Sequence, residues 1–264
     1  MSQLLMQCLP EVDEKLRAAR RIALFLDFDG TLAPIVPDPA VAKLSADTCS
    51  VLQQIARSES IVTSVISGRA VEDVYVRIHI DGIIYAGNHG MEIFGRGLRF
   101  IEPEADARRQ RLRRIAGELA EMLRHLPGVL VEDKGLTASV HFRNAGEGDV
   151  PTVEGAVRST VFPVGDQFRV NRGRKVLEIL PRIAWHKGAA VRWILNQLHD
   201  DAIAPVYLGD DSTDEDAFAE LDGAVTVRVG GPPETAARYR VPDPVAVREF
   251  LLWLTNRTGA RPPA

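Results

Sequence analysis

Cysteine is scarce in this chain: Cys8 and Cys49 are the only two among 264 residues, and neither sits at a metal-ligand or redox spacing. A disulfide framework and a thiolate metal centre are therefore excluded, and two free thiols suit a reducing compartment. A basic excess is also missing. Lys and Arg number 32 against 36 Asp and Glu, for a net charge of −4. General nucleic-acid binding, which needs a basic footprint, is excluded on that ground. No apolar run approaches the ~20 residues that span a bilayer, so no membrane partner is expected. Met1 to Pro10 has neither the basic lead nor the apolar length of a signal peptide. Internal repeats and low-complexity tracts are lacking too. The expected address is the cytoplasm.

The composition is that of an ordinary globular protein, with 45% hydrophobic and 26% charged residues. The length predicts two modest domains, or one domain carrying a large insert. Ile22–Leu26, Ile61–Ile66 and Ile83–Ala86 read as strands, with a helix over Ala46–Ile55 between the first two. That alternation predicts a parallel, doubly wound α/β sheet. The pattern changes near Pro103. Leu112, Ile115, Leu119, Met122, Leu123 and Leu126 share one helical face, ended by Pro127-Gly128. Val129–Lys134 and Leu136–Arg143 then read as strands joined at Gly135. The second alternates apolar and polar positions, as suits a sheet covered on one face only. A helix near Pro151–Val161 and strands near Phe168–Asn171 and Lys175–Leu180 follow, and Pro181 closes the insert. The α/β rhythm then resumes with a helix at His186–Leu198, strands at Pro205–Leu208 and Ala224–Val229, and a helix around Val245–Leu254. The tail Arg257–Ala264 reads as frayed. The expected layout is a core in two segments, 1–103 and 182–264, split by an inserted domain over 104–181.

Two acidic stretches carry the chemistry. Asp27-Phe28-Asp29-Gly30-Thr31 follows a buried strand directly, and ligands in open α/β sheets collect at the carboxyl ends of strands. At spacing i, i+2 on extended backbone the two aspartates start on one side of the chain. They repel unless a cation, a proton or a ligand separates their roles. The second stretch, Gly209-Asp210-Asp211-Ser212-Thr213-Asp214-Glu215-Asp216, places five carboxylates in seven positions. Its later acids could simply offset a helix macrodipole. Asp210, at a strand end, fits that role less well. Hard oxygen donors on loops point to Mg²⁺.

Between the two stands Lys187, at a helix N-terminus where a cation is misplaced unless it faces an anion. Ser67, at another strand end, offers a hydroxyl for a phosphate oxygen, or could cap the next helix. Together these residues form a phosphoryl-transfer set. Asp27 would attack phosphorus, and Asp29 would protonate the leaving oxygen and later deprotonate water.

In chain order, Asp27-x-Asp29-Gly-Thr, Ser67, Lys187 and Gly209-Asp210-Asp211-x-x-Asp214 resemble the four motifs of haloacid-dehalogenase-like phosphatases. Leu26 to Ile35, Ile66-Ser67-Gly68-Arg69, Gly87-Asn88-His89-Gly90-Met91-Glu92-Ile93, Glu132-x-Lys134 and His141-Phe142-Arg143 narrow the resemblance to the trehalose-phosphatase family. Phe28 stands where that family also uses tyrosine. The resemblance implies a Rossmann-like core with an α/β cap inserted between the second and third motifs. It implies Mg²⁺ held by the Asp27 carboxylate, the Asp29 carbonyl and Asp210, with Asp211 or Asp214 supporting. It further implies sugar contacts from Glu132, Lys134, Arg143 and Glu178, on a substrate such as trehalose 6-phosphate. Phe28, Gly30, Thr31, Gly68, Arg69, Asn88, His89 and Gly90 are the remaining expected substrate contacts, although His89 could equally be a satisfied loop histidine. Phosphatases of sucrose phosphate or mannosyl-phosphoglycerate, and phosphosugar mutases, share the motif set. A non-catalytic sugar-phosphate sensor usually lacks the nucleophile or a metal acid, and both are present. The expected state is a monomer. No glycosyltransferase segment precedes the motifs, so the preceding step is expected from a separate trehalose-phosphate synthase.

Overall fold

The computed structural model describes residues 2–173, 175–231 and 234–257; the tail beyond Arg257, read as frayed, lies outside them. The chain opens with a short strand, β1 (Gln3–Leu4), and a helix, α1 (Leu9–Arg17). Neither leaves a sequence signal, since β1 is too short to show a period and α1 buries only Val12 and Leu16. β2 (Arg21–Leu26), α2 (Ala46–Ala56), β3 (Ile61–Ile66), α3 (Val71–Ile78) and β4 (Ile84–Gly87) follow in α/β alternation. β5 (Glu92–Gly95) and β6 (Leu98–Ile101) add a hairpin that the sequence reading did not anticipate. Gly95, Arg96 and Gly97 all take positive φ at its turn.

The insert consists of α4 (Pro103–Leu123), β7 (Leu130–Asp133), β8 (Ala138–His141), α5 (Val150–Val161), β9 (Phe168–Gly173) and β10 (Val176–Pro181). Pro103 at the first turn and the Glu102 carboxylate, accepting from the Ala105 amide at 2.6 Å, set where α4 starts. The core resumes with α6 (Lys187–Leu198), β11 (Ile203–Gly209), α7 (Ser212–Glu220), β12 (Val225–Val229), β13 (Tyr239–Val241) and α8 (Pro244–Arg257).

Two compact units result, Met1–Phe100 with Trp185–Ala264, and Ile101–Ala184. In the first, nine strands run in the order β1-β13-β12-β11-β2-β3-β4-β5-β6. β2 pairs in parallel with both β11 and β3, which makes it a central strand. Its alternate residues feed two different cores. Leu24 and Leu26 pack with α1, α2, α3 and α8, whereas Ala23 and Phe25 pack with α6 and α7 on the other face. Burial on both faces explains a continuous apolar run in place of an alternating one. A three-layer arrangement of this kind leaves the carboxyl ends of β2, β3 and β11 side by side, and the three core motifs sit there.

The second unit is a four-stranded antiparallel sheet in the order β7-β8-β10-β9. Leu112, Ile115, Leu119 and Leu123 of α4 and Val153, Val157 and Val161 of α5 pack on Ala138, Val140, Leu177 and Ile179. The opposite face carries the row Glu132, Ser139, Glu178 and Asn171, direct cross-strand neighbours from β7 to β9.

Candidate active site

β2 ends at Leu26, so Asp27 begins the loop and takes its backbone bond from the neighbouring strand end, its amide donating to the Leu208 carbonyl at 2.9 Å. The alternation expected for the two aspartates therefore stops before Asp29, and their carboxylates face different cations. Lys187 Nζ donates to Asp27 Oδ1 at 2.7 Å. Asp29 accepts from Arg69 through two bonds, Nε to Oδ2 at 2.6 Å and Nη2 to Oδ1 at 2.8 Å.

Lys187 is the first residue of α6 and is only 2% exposed. The same Nζ donates at 2.7 Å to Asp214 Oδ1, so one ammonium bridges two motif acids that lie 187 positions apart in the chain. (27 to 214 spans that separation.) Its electrostatic misplacement at a helix start is thus offset by two carboxylates. Burial by itself would lower the Lys187 pKa, but Asp214 and Asp27 more than reverse it and the pKa is raised.

Asp27, Asp210 and Asp214 each offer an oxygen within 4.8 Å of the others. Burial first, then the neighbouring Asp214 and Asp210 charges against the pull of Lys187, pushes Asp27 well above the carboxylate range. Asp210 is pushed up to about 7, again by burial first and then by Asp214. Two buried carboxylates and the half-buried Asp210 so close together, with one ammonium among them, form a site where a bound cation would relieve the crowding of like charge. Hard oxygen donors of that kind fit Mg²⁺. The glycines show how close the acids come. A Cβ on Gly30, which has φ +78°, would fall 2.0 Å from Asp210 Oδ2, and one on Gly209 would fall 2.3 Å from Asp214 Cγ. Both loops approach as they do only because these positions carry no side chain.

Asp211 is placed otherwise. It is the N-cap of α7, its Oδ1 accepting from the Ser212 amide at 2.7 Å, and it is not part of the triad. Asp214 does two jobs. Its Oδ2 accepts from the Asp211 amide at 2.9 Å in a capping box, while its Oδ1 accepts from Lys187 and from Tyr207 at 2.7 Å. Helix capping and a place among the metal acids were alternatives in the sequence; the fold gives both to one residue. Tyr207, fully buried on β11, left no sequence signal, because a tyrosine inside an apolar strand reads as core. Its hydroxyl is raised well above the phenol range, first by burial and then by the Asp214 charge, so it stays a donor.

The Ser67 motif occupies the end of β3. Ser67 Oγ accepts from the Arg69 amide at 3.2 Å, while the N-cap of α3 is Ala70, so Ser67 shapes its own loop and does not cap the helix. The Asn88 amide donates to the Arg69 carbonyl at 2.7 Å and the His89 amide to the Ser67 carbonyl at 2.8 Å. Asn88, His89 and Gly90 all have positive φ. Two consecutive non-glycine residues in that region cost of order 1–3 kcal/mol each, a strain typical of functional loops. Gly68 makes the room, since a Cβ there would lie 2.8 Å from the His89 ring.

Arg69, read as a substrate contact, has its guanidinium committed internally. Besides Asp29 it donates to Asp73 at 2.8 Å and to the Pro39 carbonyl at 2.9 Å, and it stacks over the Phe28 ring at 5.4 Å. Phe28 is fully buried, so only its backbone remains for a ligand. Thr31 Oγ1 is buried with no hydrogen-bond partner among the described residues.

In the second unit, Lys134 Nζ pairs with Glu178 Oε1 at 3.2 Å, and Glu132 Oε2 with His141 Nε2 at 2.9 Å. Glu132 and Glu178 flank the buried Ser139 on the face opposite α4 and α5. Arg143 lies two residues beyond the end of β8 and is half-buried. His141, Ser139 and Asn171 share this polar face and were not among the expected contacts.

The trehalose-phosphatase family profile matches residues 25–240. The chain belongs to the trehalose-phosphatase family. A trehalose-phosphate phosphatase of Mycobacterium ulcerans is 39% identical over 239 residues, which cover 87% of this chain and 60% of that protein. The chain therefore spans about 60% of that relative's length. Trehalose-phosphate phosphatase B of Arabidopsis thaliana is 35% identical over 90% of this chain and 68% of its own length. The solved C-terminal domain of the C. albicans trehalose-6-phosphate phosphatase superposes with a TM-score of 0.79, covering 97% of this chain and 98% of that one. At 23% identity, that likeness concerns the fold. The α/β fold of this trehalose-phosphatase family member, with its parallel core sheet, is the one its strand and helix rhythm predicts. Among the described residues, no helix is long and apolar enough to cross a membrane.

Proposed function

We propose that this chain is a Mg²⁺-dependent phosphatase that converts trehalose 6-phosphate to trehalose and inorganic phosphate. It would act as a cytoplasmic monomer in the last step of trehalose biosynthesis, on the product of a trehalose-phosphate synthase. The observation that carries the reading is Lys187 Nζ at 2.7 Å from both Asp27 and Asp214, inside an acidic triad at the ends of β2 and β11. The trehalose-phosphate phosphatase relatives supply the substrate class.

Asp27 Oδ forms the bond to phosphorus as the bond from phosphorus to the sugar oxygen breaks, and Asp29 gives that oxygen its proton. Asp29 then takes a proton from water, whose oxygen displaces Asp27 and releases phosphate. Asp29 has to exchange its two bonds to Arg69 for the leaving oxygen, so turning of that side chain belongs to the reaction. Lys187 orients Asp27 and offsets part of the burial that works against its ionised form. Asp27, the Asp29 carbonyl and Asp210 would hold Mg²⁺ with Asp214 in support, and the ion would neutralise charge on the phosphoryl oxygens. Ser67, Thr31 and the backbone of Phe28 and Gly30 line the phosphoryl end, with Gly68 and the Asn88-His89-Gly90 loop beside them.

The inserted unit, over 104–181, would serve as a cap that closes on the sugar and reopens for product release. Glu132, Lys134, Arg143 and Glu178 would bond the sugar hydroxyls, since charged groups make the stronger hydrogen bonds. Phosphate release from trehalose 6-phosphate with Mg²⁺, against glucose 6-phosphate and sucrose phosphate, tests the reading. Release from trehalose 6-phosphate should exceed both controls and stop on chelation; equal rates on all three would remove the substrate assignment.

Lys134→Ala isolates the cap. It should lower kcat/KM for trehalose 6-phosphate about tenfold or more, the loss of one charge-assisted bond of roughly 1.5–3 kcal/mol. A small aryl phosphate, which offers no sugar hydroxyls, should be hydrolysed at the original rate. Equal losses on both would take Lys134 out of sugar recognition.

A further inference from the structure

The loop after β11 carries more negative charge than Lys187 offsets, and a second cation reaches it from an unexpected side. Arg228, near the end of β12, is 9% exposed. Its Nη1 donates to the Asp211 carbonyl at 2.8 Å and to Glu215 Oε1 at 3.2 Å. Glu215 Oε1 also accepts from Thr235 Oγ1 at 2.8 Å, and its Oε2 accepts from the Ala236 amide at 2.8 Å. The Ala237 amide donates to Thr235 Oγ1 at 3.0 Å. One guanidinium and one carboxylate thus tie residues 235–237 to the first turn of α7.

The carbonyl that Arg228 holds is that of the residue next to Asp210. On the other side of Asp211, its amide donates to Asp214 at 2.9 Å. Both peptide groups around Asp211 are therefore fixed from outside the residue: the amide by Asp214 Oδ2, and the carbonyl by the Asp214 amide at 3.1 Å and, with the shorter bond, by Arg228. Those two peptides determine where Asp210 and Asp214 point.

We propose that Arg228 is a positioning residue for the metal acids: without touching Asp27, Asp210 or Asp214, it locks the Asp211 backbone so that the three meet at cation-binding separation. The proposal rests on the metal reading given above. A cation near a metal site has two possible effects, and here they differ in sign. As a plain counter-charge, Arg228 would repel the metal, and its removal would tighten binding. As a positioning group, its removal would loosen binding.

The test is a titration of the chelator-stripped full chain with Mn²⁺ alone. The free ion is read by electron paramagnetic resonance, and the bound ion is displaced with Mg²⁺. Arg228→Met should raise the Mn²⁺ Kd about tenfold, and activity at limiting Mg²⁺ should fall but return at saturating Mg²⁺ with KM for substrate unchanged. Arg228→Lys, which keeps the charge but not the forked geometry, should remain several-fold weaker than the original. Thr235→Val, which changes no charge and sits outside the site, should raise Kd two- to threefold, and it carries the test if the Arg228 variants do not fold. Unchanged or tighter Mn²⁺ binding in Arg228→Met, or in Thr235→Val as its substitute, overturns the proposal. Failure of the original protein to bind Mn²⁺ would instead overturn the metal reading itself.

Discussion

Asp27→Asn is expected to abolish turnover while leaving the protein folded. The amide matches the carboxylate in shape but has neither its charge nor its nucleophilic oxygen. Loss of a nucleophile of this kind lowers kcat by about 10⁴-fold or more. Stability should hold or rise. Asp27 is 4% exposed, and burial already works against its ionised form, so the neutral amide removes a desolvation cost. The cost of leaving Lys187 with one fewer carboxylate is limited, because Asp214 still accepts from it. Phosphate-release assays and thermal unfolding separate the two effects. An acid-quenched reaction of the unaltered protein should also carry phosphate on Asp27, whereas the variant should carry none. Retention of activity within tenfold of the original would show that another group attacks phosphorus.

Lys187→Met should be the most destabilising single change in the site, and its cost should depend on pH. The ammonium is 2% exposed and donates to two carboxylates. Removing one partner of a buried ion pair costs about 3–5 kcal/mol, because a charge is left uncompensated. For a protein of this size that lowers Tm by on the order of 10 °C in the metal-free state. The sign of the pH dependence follows from the acids. Asp210 is already pushed up to about 7, and Asp27 is raised as well, first by burial. Without Lys187 both would rise further. A carboxyl whose folded pKa exceeds its unfolded value binds its proton more tightly when folded. Its contribution is intact below the unfolded value near 4 and is lost as pH climbs through the folded one. The deficit of the variant should therefore be small at pH 4, grow toward pH 7, and shrink again when Mg²⁺ is added. Activity should be lost at every pH. A deficit of equal size at pH 4 and pH 7 would mean that Lys187 acts through packing alone.

Much of the core could be read from local pattern, for a physical reason. β2 and β3 are buried on both faces, and a strand with two cores announces itself as an unbroken apolar run. The strand β8 was legible through the opposite pattern, since its apolar residues pack on α4 and α5 and its polar ones alternate with them on the other face. Elements that bury little left no trace. α1 contributes two buried residues, β1 has only two residues in all, and β13 only three. The β5–β6 hairpin depends on three positive-φ residues whose turn a strand-and-helix rhythm does not show.

The candidate site divides along the same line. Residue types and strand-end positions were enough to single out Asp27, Asp29, Ser67, Lys187 and the acids from Asp210 to Asp214, because charge at the end of an apolar run is locally conspicuous. Which side chains meet is a property of approach in space. Lys187 joins Asp27 to Asp214, Arg69 takes Asp29, Asp211 turns to cap α7, and Tyr207 and Arg228 enter from strands whose sequence reads as core. Chain order alone determines the α/β alternation and the chemical inventory, since each is written in short-range spacing of apolar and charged residues. Only packing decides the pairing of charges, because burial and Coulomb energy depend on distances that the fold sets between residues far apart in the chain.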